Sequence, residues 1–229
     1  MSTNTERYGG TPLVLGQERN RELRNTYALL ALSMIPTVLG AWVGVATGLT
    51  SAMSPLIGLV VFLVGAYGFM FAIQRNANSG LGVALLLGFT FFMGLMLSRI
   101  LQVALGFSNG GSLIAMAAGG TGVIFFALAG VATVSKRDFS FLGKFLFVGM
   151  IVVLLAALGN IFFQIPALSL TISAVAVLVF SAYILYDISR IVNGGEDNYI
   201  SATLAVYLDI YNVFVSLLNL LMFFSGDRD

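Results

Sequence analysis

Seven runs of about twenty mostly apolar residues, each long enough to cross a bilayer as a helix, take up nearly the whole chain. They are Tyr27–Thr47, Pro55–Ile73, Leu81–Leu105, Leu113–Val134, Phe141–Phe163, Ala167–Ile191 and Ile200–Phe224. Helices satisfy their own backbone groups, so this pattern points to a helix bundle solvated by lipid. Short breaks hold the helix-stopping residues: Thr50-Ser51-Ala52-Met53-Ser54, Asn76-Ala77-Asn78-Ser79-Gly80, Ser108-Asn109-Gly110-Gly111, Lys136-Arg137-Asp138, Gln164-Ile165-Pro166 and Asn193-Gly194-Gly195-Glu196-Asp197-Asn198. Only 9% of residues are charged and 59% are hydrophobic, where soluble domains carry about a quarter charged. The expected fold class is an all-α integral membrane protein. Residues 1–26 read as a flexible cytoplasmic tail, 27–225 as the seven-helix transmembrane domain and 226–229 as a short C-terminal tail. The polar N-terminal segment has no apolar core of the kind a cleavable signal peptide needs, which makes the first span an uncleaved anchor. No internal repeat stands out.

Lysine and arginine set the orientation. Arg7, Arg19, Arg21 and Arg24 precede the first span, Arg75 ends the second, Lys136, Arg137 and Lys144 flank the fourth-to-fifth connection, and Arg190 ends the sixth. All fall on one side. The loops around Ser51, Asn109 and Gln164 carry none, and only Arg228 lies beyond the last span. The N-terminus is therefore expected in the cytoplasm and the C-terminus on the far side. Arg99, inside the third span, is expected to snorkel.

The chain has no cysteine and no histidine. That removes disulfides, thiolate chemistry, Ser-His catalysis and His-ligated zinc or haem. A net charge of +1 leaves no nucleic-acid footprint. Close helix packing is expected from Gly58, Gly65 and Gly68 on the second span, Gly82, Gly88 and Gly94 on the third, and Ala115, Gly119 and Gly122 on the fourth. Pro36 interrupts the first span, with Ser33 or Thr37 expected to satisfy freed backbone groups. Asn160 is expected to hydrogen-bond between helices.

Two acids lie inside spans, and intramembrane carboxyls default to a functional reading. Asp187 is near the cytoplasmic end of span six. Asp209 is about 15 Å into span seven. Helices joined by a short loop pack antiparallel, so the carboxyls are expected to face each other. On span seven, Ala202, Ala205, Asp209, Asn212, Ser216 and Asn219 recur every three or four residues and form one small, polar stripe. Such a stripe belongs against protein or water. The structural reading pairs Asp187 with Arg190 and caps Asp209 with Asn212 or a tyrosine. The functional reading is a proton or cation site, in which two nearby carboxyls share a proton or bind a hard cation such as calcium through oxygen.

The run Tyr186-Asp187-Ile188-Ser189-Arg190-Ile191, then Gly194-Gly195-Glu196, Tyr199-Ile200 and Tyr207-Leu208-Asp209-Ile210-Tyr211-Asn212 resembles the C-terminal signature of the Bax inhibitor-1, or transmembrane Bax inhibitor motif, family. Lys136-Arg137-Asp138-Phe139-Ser140-Phe141-Leu142-Gly143 and Leu23-Arg24-Asn25-Thr26-Tyr27 resemble the same family, in its bacterial YccA branch. The resemblance runs from Leu23 onward. It implies seven helices around a central last one. It also implies a pH-sensitive calcium leak in some bacterial members, gated by an aspartate pair that Asp187 and Asp209 match, with Arg75 matching the arginine that pairs with the first acid. Arg190 is a second candidate counter-ion. The YccA branch implies a different role in the bacterial inner membrane, restraint of the membrane-anchored AAA protease FtsH, with the tail Met1–Arg24 as a segment for the protease to grip. No cofactor is expected beyond calcium as a transported ion, and the lipid bilayer and FtsH are the expected partners.

An intramembrane aspartyl protease is the remaining reading of two acids on successive helices. Its motifs are out of place. Val206-Tyr207-Leu208 stands where a Gly-x-Gly should precede the second acid, and Pro166-Ala167-Leu168 comes before both acids rather than after them. The expectation is that the protein is not an enzyme.

Overall fold

The computed structural model describes residues 12–135 and 137–226, with residues 12–19 as backbone alone. It contains seven long helices: α1 Pro12–Thr47, α2 Pro55–Arg75, α3 Gly80–Leu105, α4 Gly110–Ser135, α5 Gly143–Phe163, α6 Pro166–Asn193 and α7 Tyr199–Gly226. A single 3-10 turn, Ser140–Leu142, leads into α5. All seven are long and apolar enough to cross a membrane.

Local chemistry explains the ends. Ser54 caps α2 by accepting from the Ile57 amide at 3.4 Å, with Pro55 in the first turn where its missing N–H costs nothing. Pro166 opens α6 in the same way. Gly194 ends α6 in the left-handed region (φ 77°), and the Gly195 amide reaches back to the Arg190 carbonyl at 2.8 Å. At the end of α5 a left-handed residue is also required, and Gln164 takes it at φ 50°. Asn160 supports that turn: its Oδ1 accepts from the Ile165 amide at 2.9 Å. Asn160 is thus a C-terminal cap, not the interhelical bridge expected of it.

The first helix starts at Pro12 rather than Tyr27, so part of the expected flexible tail is helical. The reason is packing: Leu23 lies against the main core and Thr26 is fully buried. Residues 1–11, with Glu6 and Arg7, lie outside the described residues. So do Lys136 and 227–229, with Arg228. At Pro36 the helix continues. The Thr37 hydroxyl donates to the Ser33 carbonyl and that of Ser33 to the Leu29 carbonyl, both at 2.8 Å. These neighbour the Leu32 carbonyl that proline frees, and neither hydroxyl bonds to it.

Helix α7 is the axis of the bundle. It packs against α1, α2, α3, α4 and α6, and only α5 stays clear of it. Every residue of α7 from Tyr199 to Met222 is buried or half-buried. The most intimate pair is α1 with α3. A Cβ on Gly40 would collide with the Phe91 carbonyl, one on Gly44 with the Ser98 hydroxyl, and one on Gly94 with the Thr37 carbonyl. These three glycines put one backbone directly on the other. Two of them, Gly40 and Gly44, form a small-xxx-small pair that the sequence reading passed over. On α4 the expectation fails. Nothing lies within 4 Å of where a Cβ on Gly119 or Gly122 would sit, and Ala115 is exposed. That small-residue face meets no neighbouring helix backbone among the described residues, because α4 buries Leu113, Ala117 and Thr121 instead.

Valine at Gly94 should therefore destabilise the bundle by more than about 2 kcal/mol, whereas valine at Gly119 should stay within about 0.5 kcal/mol of the parent. Thermal unfolding of the two variants in one detergent measures the contrast. Equal effects would contradict the α1–α3 contact.

Candidate functional site

Asp187 on α6 and Asp209 on α7 are brought near each other, side chain toward side chain, between the two packed helices. Asp209 is 6% exposed, and its Oδ2 is buried with no donor from the protein. Two carboxylates have no donor to offer each other. The contact becomes a hydrogen bond only when one of them carries a proton. Tyr183 lies a turn before Asp187 on α6, its ring against those of Phe180 and Tyr186.

The expected counter-ions lie elsewhere. Arg190 donates to Glu196 Oε2 at 3.1 Å and to the Gly195 carbonyl at 3.0 Å, and its guanidinium lies 5.7 Å from the Tyr186 ring centroid. It forms no ion pair with Asp187. The turn at Gly194-Gly195 explains this, because it folds Glu196 back under the end of α6. Arg75 is exposed, and no described residue forms an ion pair with it. No group of three or more acidic residues is assembled among the described residues. A calcium ion at the pair would draw only two carboxyls from the protein and would need the rest of its six to eight oxygens from backbone, hydroxyls or water.

The polar stripe of α7 faces inward as expected, with Ser216 buried and Asn212 and Asn219 half-buried. The Asn212 amide is spent within its own helix, donating to the Leu208 carbonyl at 2.8 Å. The opposite face of α7 is equally enclosed and carries a set that sequence reasoning missed. Tyr207, 1% exposed, hydrogen-bonds with Thr37 of α1 at 2.9 Å, and its hydroxyl also lies 3.5 Å from the Thr90 carbonyl of α3. Tyr211, one turn on, approaches the Met93 carbonyl at 3.5 Å. The four-residue spacing of two tyrosines was the available signal. Both rings floor an apolar cleft of about 1130 Å³ between α1 and α4. Neither this cleft nor a smaller cavity of about 220 Å³ beside Arg99 is lined by Asp187 or Asp209.

Hydrogen bonds anchor the hairpin carrying the pair. Ser189 Oγ accepts from the Phe139 amide and donates to the Arg137 carbonyl, each at 3.0 Å, and Asn193 donates to the same carbonyl at 3.1 Å. Asn198 donates to the Ala77 carbonyl at 3.0 Å and to Asn78 Oδ1 at 2.8 Å. The connections α2–α3 and α4–α5 are thereby pinned to α6–α7. Within the α4–α5 connection, Asp138 Oδ1 accepts from the Ser140 amide at 2.8 Å, and the Ser140 hydroxyl first, with this amide second, holds its carboxyl below the usual value of 3.8.

Two outcomes are expected. Tyr207→Phe should cost about 1 kcal/mol in thermal unfolding through loss of the Thr37 bond. Asp138→Ala should speed hydrogen exchange of the Ser140 amide relative to the parent at pH values above 3.8. A depressed folded-state pKa means the contact is intact there and fades as pH falls through the lowered value, so the difference should vanish in stronger acid.

Comparison with known proteins extends the picture along the whole chain. The family described as "Inhibitor of apoptosis-promoting Bax1" matches residues 19–226. The "Modulator of FtsH protease YccA" of Escherichia coli strain K12 is 44% identical over 208 residues, covering 91% of this chain and 92% of that one. An uncharacterised membrane protein of Vibrio cholerae is 42% identical over 204 residues, covering 89% and 90%. An uncharacterised protein of Pseudomonas aeruginosa is 43% identical over 205 residues, covering 90% of each. With seven helices closed around an acid-bearing last one, and a match across nearly the full length, the chain belongs to the Bax inhibitor-1 family.

Proposed function

We propose that the protein is an inner-membrane modulator of the protease FtsH, like its Escherichia coli relative. The observation that carries this reading is the extent of the likeness, 44% identity covering 91% of one chain and 92% of the other. A second Escherichia coli relative with the same identity is named an inner membrane protein. The accompanying orientation puts the N-terminus in the cytoplasm, on the side of the arginine-rich connections. The chain ahead of Pro12 then serves as the handle the protease grips. Since α1 begins at Pro12 and Leu23 already packs on the core, a deletion that spares the bundle removes residues 1–11. Affinity capture of the membrane-extracted protein should retain FtsH, and the deletion should weaken capture severalfold. No FtsH with either form would remove this reading.

A second reading rests on the Asp187–Asp209 contact: a pH-sensitive calcium leak whose closed state is held by a shared proton. The buried contact and the unsatisfied Asp209 Oδ2 support it. Protonated, the pair ties α6 to α7. Ionised, the carboxyls repel or take a cation. Asn at 209 supplies a permanent donor to Asp187, so the tie no longer depends on a proton. Calcium entry into proteoliposomes should respond to pH in the parent and lose that response in Asp209→Asn. Flux and pH response untouched by the substitution would sink the leak and leave the protease reading standing.

A further inference from the structure

The end of the bundle opposite the arginine-rich one is almost bare of charge. The connections α1–α2, α3–α4 and α5–α6 contain no acidic or basic residue. Arg99 stands out against this background. It sits on α3 about 9 Å short of the helix end at Leu105. A guanidinium at that depth needs an anion or water to offset lost hydration. No described residue forms an ion pair with it. The carboxyls of Asp227 and Asp229 lie outside the described residues.

Its surroundings are shaped as a site. Arg99 lines a cavity of about 220 Å³ together with Thr50, Gly58, Phe62, Met96 and Tyr211. A water occupies about 30 Å³ of liquid, so a tetrahedral oxyanion fits with waters to spare. Thr50 is fixed by a 2.6 Å hydrogen bond to Ser98, which holds the roof of the cavity in place. Gly58 makes the room: a Cβ there would stand 3.2 Å from Arg99 Nη1. The missing side chain lets the guanidinium lie close to α2 without being covered by it.

We propose that Arg99 and this cavity form a phosphate site that takes the phosphodiester of a phospholipid from the leaflet on that side. The planar guanidinium fork matches two phosphate oxygens. Phe62 and Met96 give the cavity an apolar wall, which suits the glycerol and acyl end of a lipid and offers nothing to a free ion. The depth of Arg99, inside the span rather than on a loop, brings the headgroup to the level where lipid phosphate meets hydrocarbon.

Native mass spectrometry of the purified full chain, titrated with phosphatidylglycerol, tests the site alongside the thermal shift that the same lipid produces. Arg99→Gln should weaken lipid retention about tenfold and abolish most of the thermal shift. Arg99→Lys, which keeps the charge and loses the fork, should fall between. Gly58→Val should also weaken retention by crowding the guanidinium, which keeps the test open if Arg99→Gln folds poorly. Lys144→Gln, an exposed charge at the other end of the bundle, should change nothing. Inorganic phosphate alone should give no shift. Lipid retention equal in the parent, Arg99→Gln and Gly58→Val overturns the proposal. An Arg99-dependent shift with phosphate alone overturns the lipid as its ligand. Stability that depends on Arg99 but vanishes on deleting residues 227–229 assigns Arg99 to the C-terminal acids instead.

Discussion

A carboxyl on a membrane-spanning helix cannot be left to hydrocarbon, and Asp209 imposes that condition on the whole bundle. It sits well inside α7, so α7 must be enclosed by protein. Five of the other six helices pack on it, and α5 is left to lean on α6 at the periphery. Enclosure on all sides then gives α7 two working faces. One presents Asp209 to Asp187. The other presents Tyr207 and Tyr211 to α1 and α3, where the Tyr207 hydroxyl is held by Thr37.

Lipid supplies no hydrophobic pressure between helices, so contact has to come from close approach and hydrogen bonds. Gly40, Gly44 and Gly94 provide the approach for α1 and α3. Helices α1 and α4 have no such seam and stand apart across the apolar cleft floored by α7, with the rings of Tyr27 and Phe125 meeting at one end. The bundle is thus tight on one side of α7 and open on the other. At Gly119 and Gly122 of α4 no neighbour among the described residues comes near enough to need a glycine, whereas Gly110 at the start of α4 is pressed against the Ala104 carbonyl.

Polar contacts outside the hydrocarbon tie the acid-bearing hairpin to the rest. Ser189 and Asn193 grip the α4–α5 connection, and Asn198 grips the α2–α3 connection. The acid-bearing hairpin and the arginine-rich connections are thus held together by one set of hydrogen bonds.

Seven helices, their approximate ends and the two intramembrane acids were legible in the sequence, because spanning length, loop chemistry and the cost of buried charge are each written in a single stretch of residues. The polar periodicity around Asp209 also foretold a central α7. What pairs with what was not legible. Arg190, a candidate counter-ion for Asp187 in one of two readings, is found on Glu196, because the Gly194 turn redirects the chain. Asn160 was expected to reach another helix and instead caps its own. Ala115, Gly119 and Gly122 look like a packing face, yet Gly119 and Gly122 have no close neighbour among the described residues, while Gly40 and Gly44 bring α1 onto α3. These outcomes depend on which helices become neighbours and how each is rotated. The sequence by itself determined that the chain is a seven-helix membrane bundle with two acids in its last hairpin. Only the tertiary structure decided that those acids are brought near each other, that the arginines form no ion pair with them and that α1 closes on α3, since each depends on distances between segments far apart in the chain.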